Sequence, residues 1–133
     1  MTTKKGIADG RFQNQRLQYL SISGEGITEY PKFVSQLGHL KRLELSYTEI
    51  THLPVDMNLP VSLSFLKLSG NQIEKLNSQL AKLPKLRELI IEEVFIECFE
   101  EVLHLMNLEK LTLKYLTVSK LSTKIGQLKQ LMY

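Results

Sequence analysis

Residues 63–73 read Leu63-Ser64-Phe65-Leu66-Lys67-Leu68-Ser69-Gly70-Asn71-Gln72-Ile73, a string of the form L-x-x-L-x-L-x-x-N-x-I. Its first, fourth, sixth and eleventh positions are apolar. One such string carries little information, because leucine is common. The same spacing recurs along the chain, however, with first positions at Leu17, Leu40, Leu63, Leu86, Leu108 and Leu131, in steps of 23, 23, 23, 22 and 23 residues. The fourth positions are Leu20, Leu43, Leu66, Leu89 and Leu111, and the sixth are Ile22, Leu45, Leu68, Ile91 and Leu113. Ile27, Ile50, Ile73, Ile96 and Val118 hold the eleventh.

This spacing has a physical reading. The fourth-to-sixth alternation is that of a strand, in which every second side chain points into the core. One unit of this length cannot bury its apolar face alone, so successive units must stack. Stacking pairs each short strand with the next in a parallel sheet, with strands about 4.8 Å apart. The eleventh and fourteenth positions carry the chain around a corner. The fourteenth are Tyr30, Leu53, Leu76, Phe99 and Leu121, and Pro31 and Pro54 follow two of them.

The frame resembles that of the leucine-rich-repeat family, whose period is roughly 20–29 residues, and specifically its 22–23-residue intracellular type. Ser122-Thr123-Lys124-Ile125-Gly126-Gln127-Leu128 is similar to the P-x-x-I-G-x-L return segment of that type, with serine in place of proline. The resemblance implies an α/β fold: a right-handed solenoid with a short parallel β-sheet on the concave face and short helices or 3₁₀ turns on the convex face. Five repeats are expected at 17–39, 40–62, 63–85, 86–107 and 108–130. Residues 1–16 are expected to form an N-terminal cap or a partial upstream repeat, and 131–133 to begin a sixth repeat. Helical spacing is best at Ser78 to Leu83 and at Cys98 to Leu105, with a shorter segment at Phe33 to Leu37. Prolines make Val55 to Pro60 irregular.

The family's ninth position, usually Asn, hydrogen-bonds backbone groups of adjacent coils. It reads Glu25, Thr48, Asn71, Val94 and Leu116 here. Thr48 can substitute for Asn, whereas Val94 and Leu116 offer no polar side chain. A reshaped corner is therefore expected in the fourth and fifth repeats, with water or backbone taking over.

The 133 residues, 43% of them apolar, suffice for one domain with a real core. No run of 18 apolar residues suggests a spanning helix, and no apolar stretch follows the basic N-terminus as a secretory leader would require. The single cysteine, Cys98, cannot form an intrachain disulfide. Extracellular members of the family usually carry paired-cysteine caps, so a cytoplasmic location is expected, in the source cell or in a host cell. The net charge is +3. It is dispersed: residues 86–107 carry −5, between segments of +3 and +4. That is not a nucleic-acid stripe, and neither nucleic acid nor membrane is expected as a partner.

No catalytic constellation emerges. His39, His52 and His104 fall at different frame positions, so no metal site is expected. Cys98 lacks a base arranged beside it and reads as filler. Ser23-Gly24-Glu25-Gly26 lacks the G-K-[ST] ending of a phosphate loop and reads as a turn. Glu92/Glu93 and Glu100/Glu101 are sequence neighbours whose side chains diverge, which makes them solvated charge. No cofactor and no enzymatic activity are expected.

Binding would use the outward-facing rows of the sheet. The third positions are Tyr19, Arg42, Phe65, Glu88, Lys110 and Tyr133; the fifth are Ser21, Glu44, Lys67, Ile90 and Thr112; the eighth are Gly24, Tyr47, Gly70, Glu93 and Tyr115. Exposed Tyr, Phe and Arg are typical binding anchors, and cross-strand packing is the competing reading. The candidate contacts with a partner protein are Tyr19, Arg42, Glu44, Tyr47, Phe65, Lys67, Glu88, Ile90, Lys110 and Tyr115. Lateral ion pairs are expected between Glu44 and Lys67, Arg87 and Glu109, Glu88 and Lys110, and Glu92 and Lys114.

Three functional readings follow. The first, implied by the resemblance, is a non-enzymatic protein–protein interaction module using the concave face. The second is the recognition domain of a larger effector or signalling enzyme, such as a bacterial effector. The third is a structural element that self-associates through an uncapped C-terminal edge. Leu131-Met132-Tyr133 starts a strand and stops, which fits a fragment, an end covered by another chain, or a loosely closed last coil.

Overall fold

Five strands of five residues each lie side by side, and each begins at a third frame position. They are β1 (Tyr19–Ser23), β2 (Arg42–Ser46), β3 (Phe65–Ser69), β4 (Glu88–Glu92) and β6 (Lys110–Lys114), all seen in a computed structural model. The structure describes residues 16–53, 58–73, 78–98, 105, 107–115 and 117–120. The strands pair in parallel in the order β1-β2-β3-β4-β6. Their register matches like frame positions throughout: Leu20 lies beside Leu43, Leu43 beside Leu66, Leu66 beside Leu89, and Leu89 beside Leu111.

Backbone hydrogen bonds between coils hold that register at the strand ends. At the entrance, the carbonyl of Gln18 accepts the N–H groups of both Lys41 (2.8 Å) and Arg42 (2.9 Å), and those of Lys41, Ser64 and Arg87 repeat the arrangement with the following coil. One residue earlier the chain turns tightly. The N–H of Leu40 donates to the carbonyl of Leu37, Leu63 to Pro60, Leu86 to Leu83 and Leu108 to Leu105. At the exit, the N–H groups of Tyr47, Gly70 and Glu93 donate to the carbonyls of Ser69, Glu92 and Lys114.

The core is the stack of frame leucines and isoleucines. Leu20, Leu43, Leu66, Leu89 and Leu111 are buried, as are Leu45, Leu68 and Ile91 of the sixth positions, with Leu113 partly buried against them. Each such side chain contributes about 1.5–3 kcal/mol relative to exposure. Return segments supply the other wall, through Val34, Leu37, Leu59, Leu80 and Leu83. Two are 3₁₀ helices, Lys32–Gln36 and Ser78–Lys82, as the spacing predicts. In the first, Pro31 precedes the helix, where its missing N–H costs nothing.

The expected substitution of backbone for side chain at the later corners takes a definite form. At the second and third corners Asn71 bridges coils. Its Nδ2 donates to the carbonyls of Leu45 (2.7 Å) and Ser69 (3.1 Å), while its Oδ1 accepts from the backbone N–H (3.3 Å) and the hydroxyl of Thr48. Val94 of the next coil is buried and cannot do this. There a second parallel sheet begins, β5 (Phe95–Cys98) paired with β7 (Thr117–Lys120), with Ile96 beside Val118. A hydrogen-bonded ladder thus replaces the side-chain bridge, and Cys98 ends a strand rather than opening a helix. The expectations for residues 1–15, 54–57, 74–77, 99–104, 106, 116 and 121–133 lie outside the described residues, Leu116 at its corner among them. These include the terminal cap, the sixth repeat and the Ser122–Leu128 return segment.

Candidate functional site

The third-position row at the N-terminal half of the sheet is an aromatic and cationic stack. Arg42 is exposed. Its guanidinium carbon sits 4.0 Å from the centre of the Phe65 ring and 5.6 Å from that of Tyr19. This placement overturns one expectation: Phe65 is not an exposed anchor but 7% exposed. Arginine carries a flat, weakly hydrated cation that stacks well on rings, so Arg42 covers the apolar surface that register alone would leave open.

Tyr19, half-buried, donates its hydroxyl to Oε2 of Glu44 at 2.6 Å. That bond to an anion, followed by burial and the Glu44 charge, raises the Tyr19 pKa above the ordinary phenol value. Further along, the charges pair. Lys110 meets Glu88 at 3.5 Å and Arg87 meets Glu109 at 3.7 Å, as expected from register. Lys67, however, reaches diagonally to Glu92 at 3.8 Å rather than across to Glu44. A flexible four-carbon stem allows that diagonal. Such partly exposed pairs are each worth about 0–1 kcal/mol. Ile90, beside Lys67 and Thr112, is half-buried.

The eighth-position row forms the exit edge of the sheet and has a shared backbone requirement. Gly24, Tyr47, Gly70, Glu93 and Tyr115 all have positive φ, with values of 125°, 52°, 64°, 51° and 52°. Glycine adopts this freely, whereas other L-residues give up about 1–2 kcal/mol each. The two glycines were the sequence signal for this row. Tyr47 recovers part of the loss. Its ring lies over Gly70 and its hydroxyl donates to Oε1 of Glu93 at 3.1 Å. Tyr115 is 82% exposed.

Sequence reasoning missed a cavity of about 250 Å³ lined by Thr28, Glu29, Tyr30, Lys32 and His52. Tyr30 is buried, and its hydroxyl has no hydrogen-bond partner. Burial pushes its pKa well above the usual phenol range. Among the described residues, no group of His, Cys, Asp and Glu is arranged to hold a metal ion. No helix among them is long and apolar enough to cross a membrane.

Comparison with known proteins agrees with this geometry. A family model described as leucine rich repeat matches residues 15–73. Residues 15–73 therefore carry leucine-rich repeats, and the parallel-strand solenoid of the other described coils is consistent with such repeats. Among solved structures, internalin C2 of Listeria monocytogenes superposes with a TM-score of 0.69 at 25% identity, over 90% of this chain and 51% of the internalin. A leucine-rich-repeat protein of Leptospira interrogans gives a TM-score of 0.69 at 34% identity, over 79% of this chain and 27% of its own. The leucine-rich repeat domain of the type III effector XopL gives 0.68 at 24% identity, over 94% and 45% respectively, a likeness of fold alone. The chain therefore spans about half the length of these structures or less. No curated protein sequence matches it. Domains of this family are typically protein-interaction modules, in keeping with an open sheet face that bears aromatic and charged rows.

Proposed function

We propose that this leucine-rich-repeat chain is a non-enzymatic module that binds a partner protein on its concave strand face, with Tyr115 at the exit edge as a principal contact. One observation carries the reading: the exit edge of the sheet holds two tyrosines, Tyr47 and Tyr115, each with φ at 52°. Glycine at either position would relieve the backbone, as it does at Gly24 and Gly70. Tyr47 has compensation from Gly70 and Glu93. Strained backbone bearing an exposed aromatic is a feature of recognition surfaces. Tyr47, 55% exposed, extends the same edge.

The test uses Tyr115→Asn, since asparagine tolerates positive φ. The variant should unfold at a denaturant midpoint equal to or above that of the wild type, and should lose the partner co-precipitated by the wild-type chain. A Tyr115→Asn chain that folds normally and retains every partner defeats the proposal.

A further inference from the structure

The Arg42 guanidinium is held in place on two sides by aromatic rings. Ring faces of Phe65 and Tyr19 fix it at 4.0 and 5.6 Å. Among the described residues, no carboxylate or carbonyl engages its five N–H donors. The acids in the neighbouring rows are committed elsewhere: Glu44 to the Tyr19 hydroxyl, Glu88 to Lys110 and Glu92 to Lys67. Lys67 and Lys110 are likewise occupied. Stacking restrains the side chain and leaves the N–H edge free, so an incoming acceptor would immobilise few further rotamers.

We propose that Arg42 is the anchor for a carboxylate of the partner protein, the side chain of an aspartate or glutamate held by two parallel N–H···O bonds. The inference rests on the docking function proposed for the strand face and specifies its chemistry. A planar carboxylate matches the guanidinium fork. Its single charge also suits the site. Glu44 lies two residues along the same strand face, and a phosphate of about −2 would be repelled there twice as strongly.

The test is selection of a phage-displayed random peptide library on the whole chain, followed by affinity measurement on the winning peptides. They should carry Asp or Glu at one fixed position. Arg42→Met, which keeps an apolar cover over Phe65, should weaken them about tenfold or more, equivalent to about 1.4 kcal/mol. Arg42→Lys should restore little, and Asp→Asn or Glu→Gln in the peptide should have no further effect on the Arg42→Met chain. Peptides that need Tyr115 but lack a fixed acid, or are indifferent to Arg42→Met, overturn the carboxylate anchor and leave the docking face standing. Selection that yields only peptides insensitive to both Arg42→Met and Tyr115→Ala overturns the anchor and the docking face together.

Discussion

The ring of Tyr47 lies across Gly70 and fills the space into which a side chain at that position would grow. A methyl group there would overlap the ring at Cδ1 and Cε1, and Gly70 also holds φ at 64°. Gly70→Ala should therefore destabilise the chain by about 2 kcal/mol, roughly half from backbone and half from overlap. In a Tyr47→Ala background the overlap disappears, so the same substitution should cost about 1 kcal/mol. Urea unfolding of the four chains in this cycle measures the coupling. A coupling of zero means that the ring does not sit on Gly70 in solution.

Asn71 links two coils through donors and an acceptor that are all buried. Asn71→Ala takes the Nδ2 donor from the Leu45 carbonyl and the Oδ1 acceptor from the N–H and hydroxyl of Thr48, while the Ser69 carbonyl keeps the Tyr47 N–H. A loss of about 3 kcal/mol is expected, because orphaned buried groups cost more than a hydrogen bond gains. The midpoint of chemical denaturation reports it. A loss below about 1 kcal/mol would show that water replaces the amide.

Tyr30→Phe tests the opposite case. The hydroxyl of Tyr30 is buried without a partner, so its removal should be neutral or should stabilise the chain by up to about 1 kcal/mol. A clear loss of thermal stability in the variant would reveal a hydrogen bond to that hydroxyl in solution.

The Tyr19 hydroxyl gives a pH signature. Its folded pKa is raised above the ordinary value of 10.0, first by the hydrogen bond to Glu44 and then by burial and the Glu44 charge. The folded chain thus holds this proton more tightly than the unfolded one. The resulting stability is complete below the unfolded pKa and is lost as pH rises through the folded one. Ultraviolet difference titration against Tyr19→Phe isolates the phenol. Its midpoint should lie above 10.0 and should fall in a Glu44→Gln chain.

The sheet and its register were legible because strand periodicity is two and the steps between Leu17, Leu40, Leu63, Leu86 and Leu108 are nearly constant. Two of the return-segment helices were legible for the same reason. Phe65 was misread because exposure depends on what folds over a residue, and the reach of Arg42 is not encoded in its frame position. Lys67 found Glu92 on a diagonal that register does not contain. The substitution of backbone for side chain at Val94 was foreseeable from its missing polar group, but its form, a second ladder from β5 to β7, was not. Two glycines in the eighth row hinted at a positive φ that Tyr47, Glu93 and Tyr115 concealed. The orphaned Tyr30 hydroxyl could not be read at all, since it depends on the neighbours of a single atom.

The entrance and exit hydrogen bonds of each strand have a consequence for how such a chain can change in length. The fourth coil is one residue shorter than the others, yet Glu88 still lies beside Lys110 and Leu89 beside Leu111. The turn from Leu105 to Leu108 also matches its counterparts in the longer coils. In sequence, the missing residue therefore falls between Cys98 and Leu105. The one-residue difference there leaves the pairing of the flanking strands in register. The recognition surface and the scaffold can thus mutate on separate schedules, one by substitution and the other by insertion and loss.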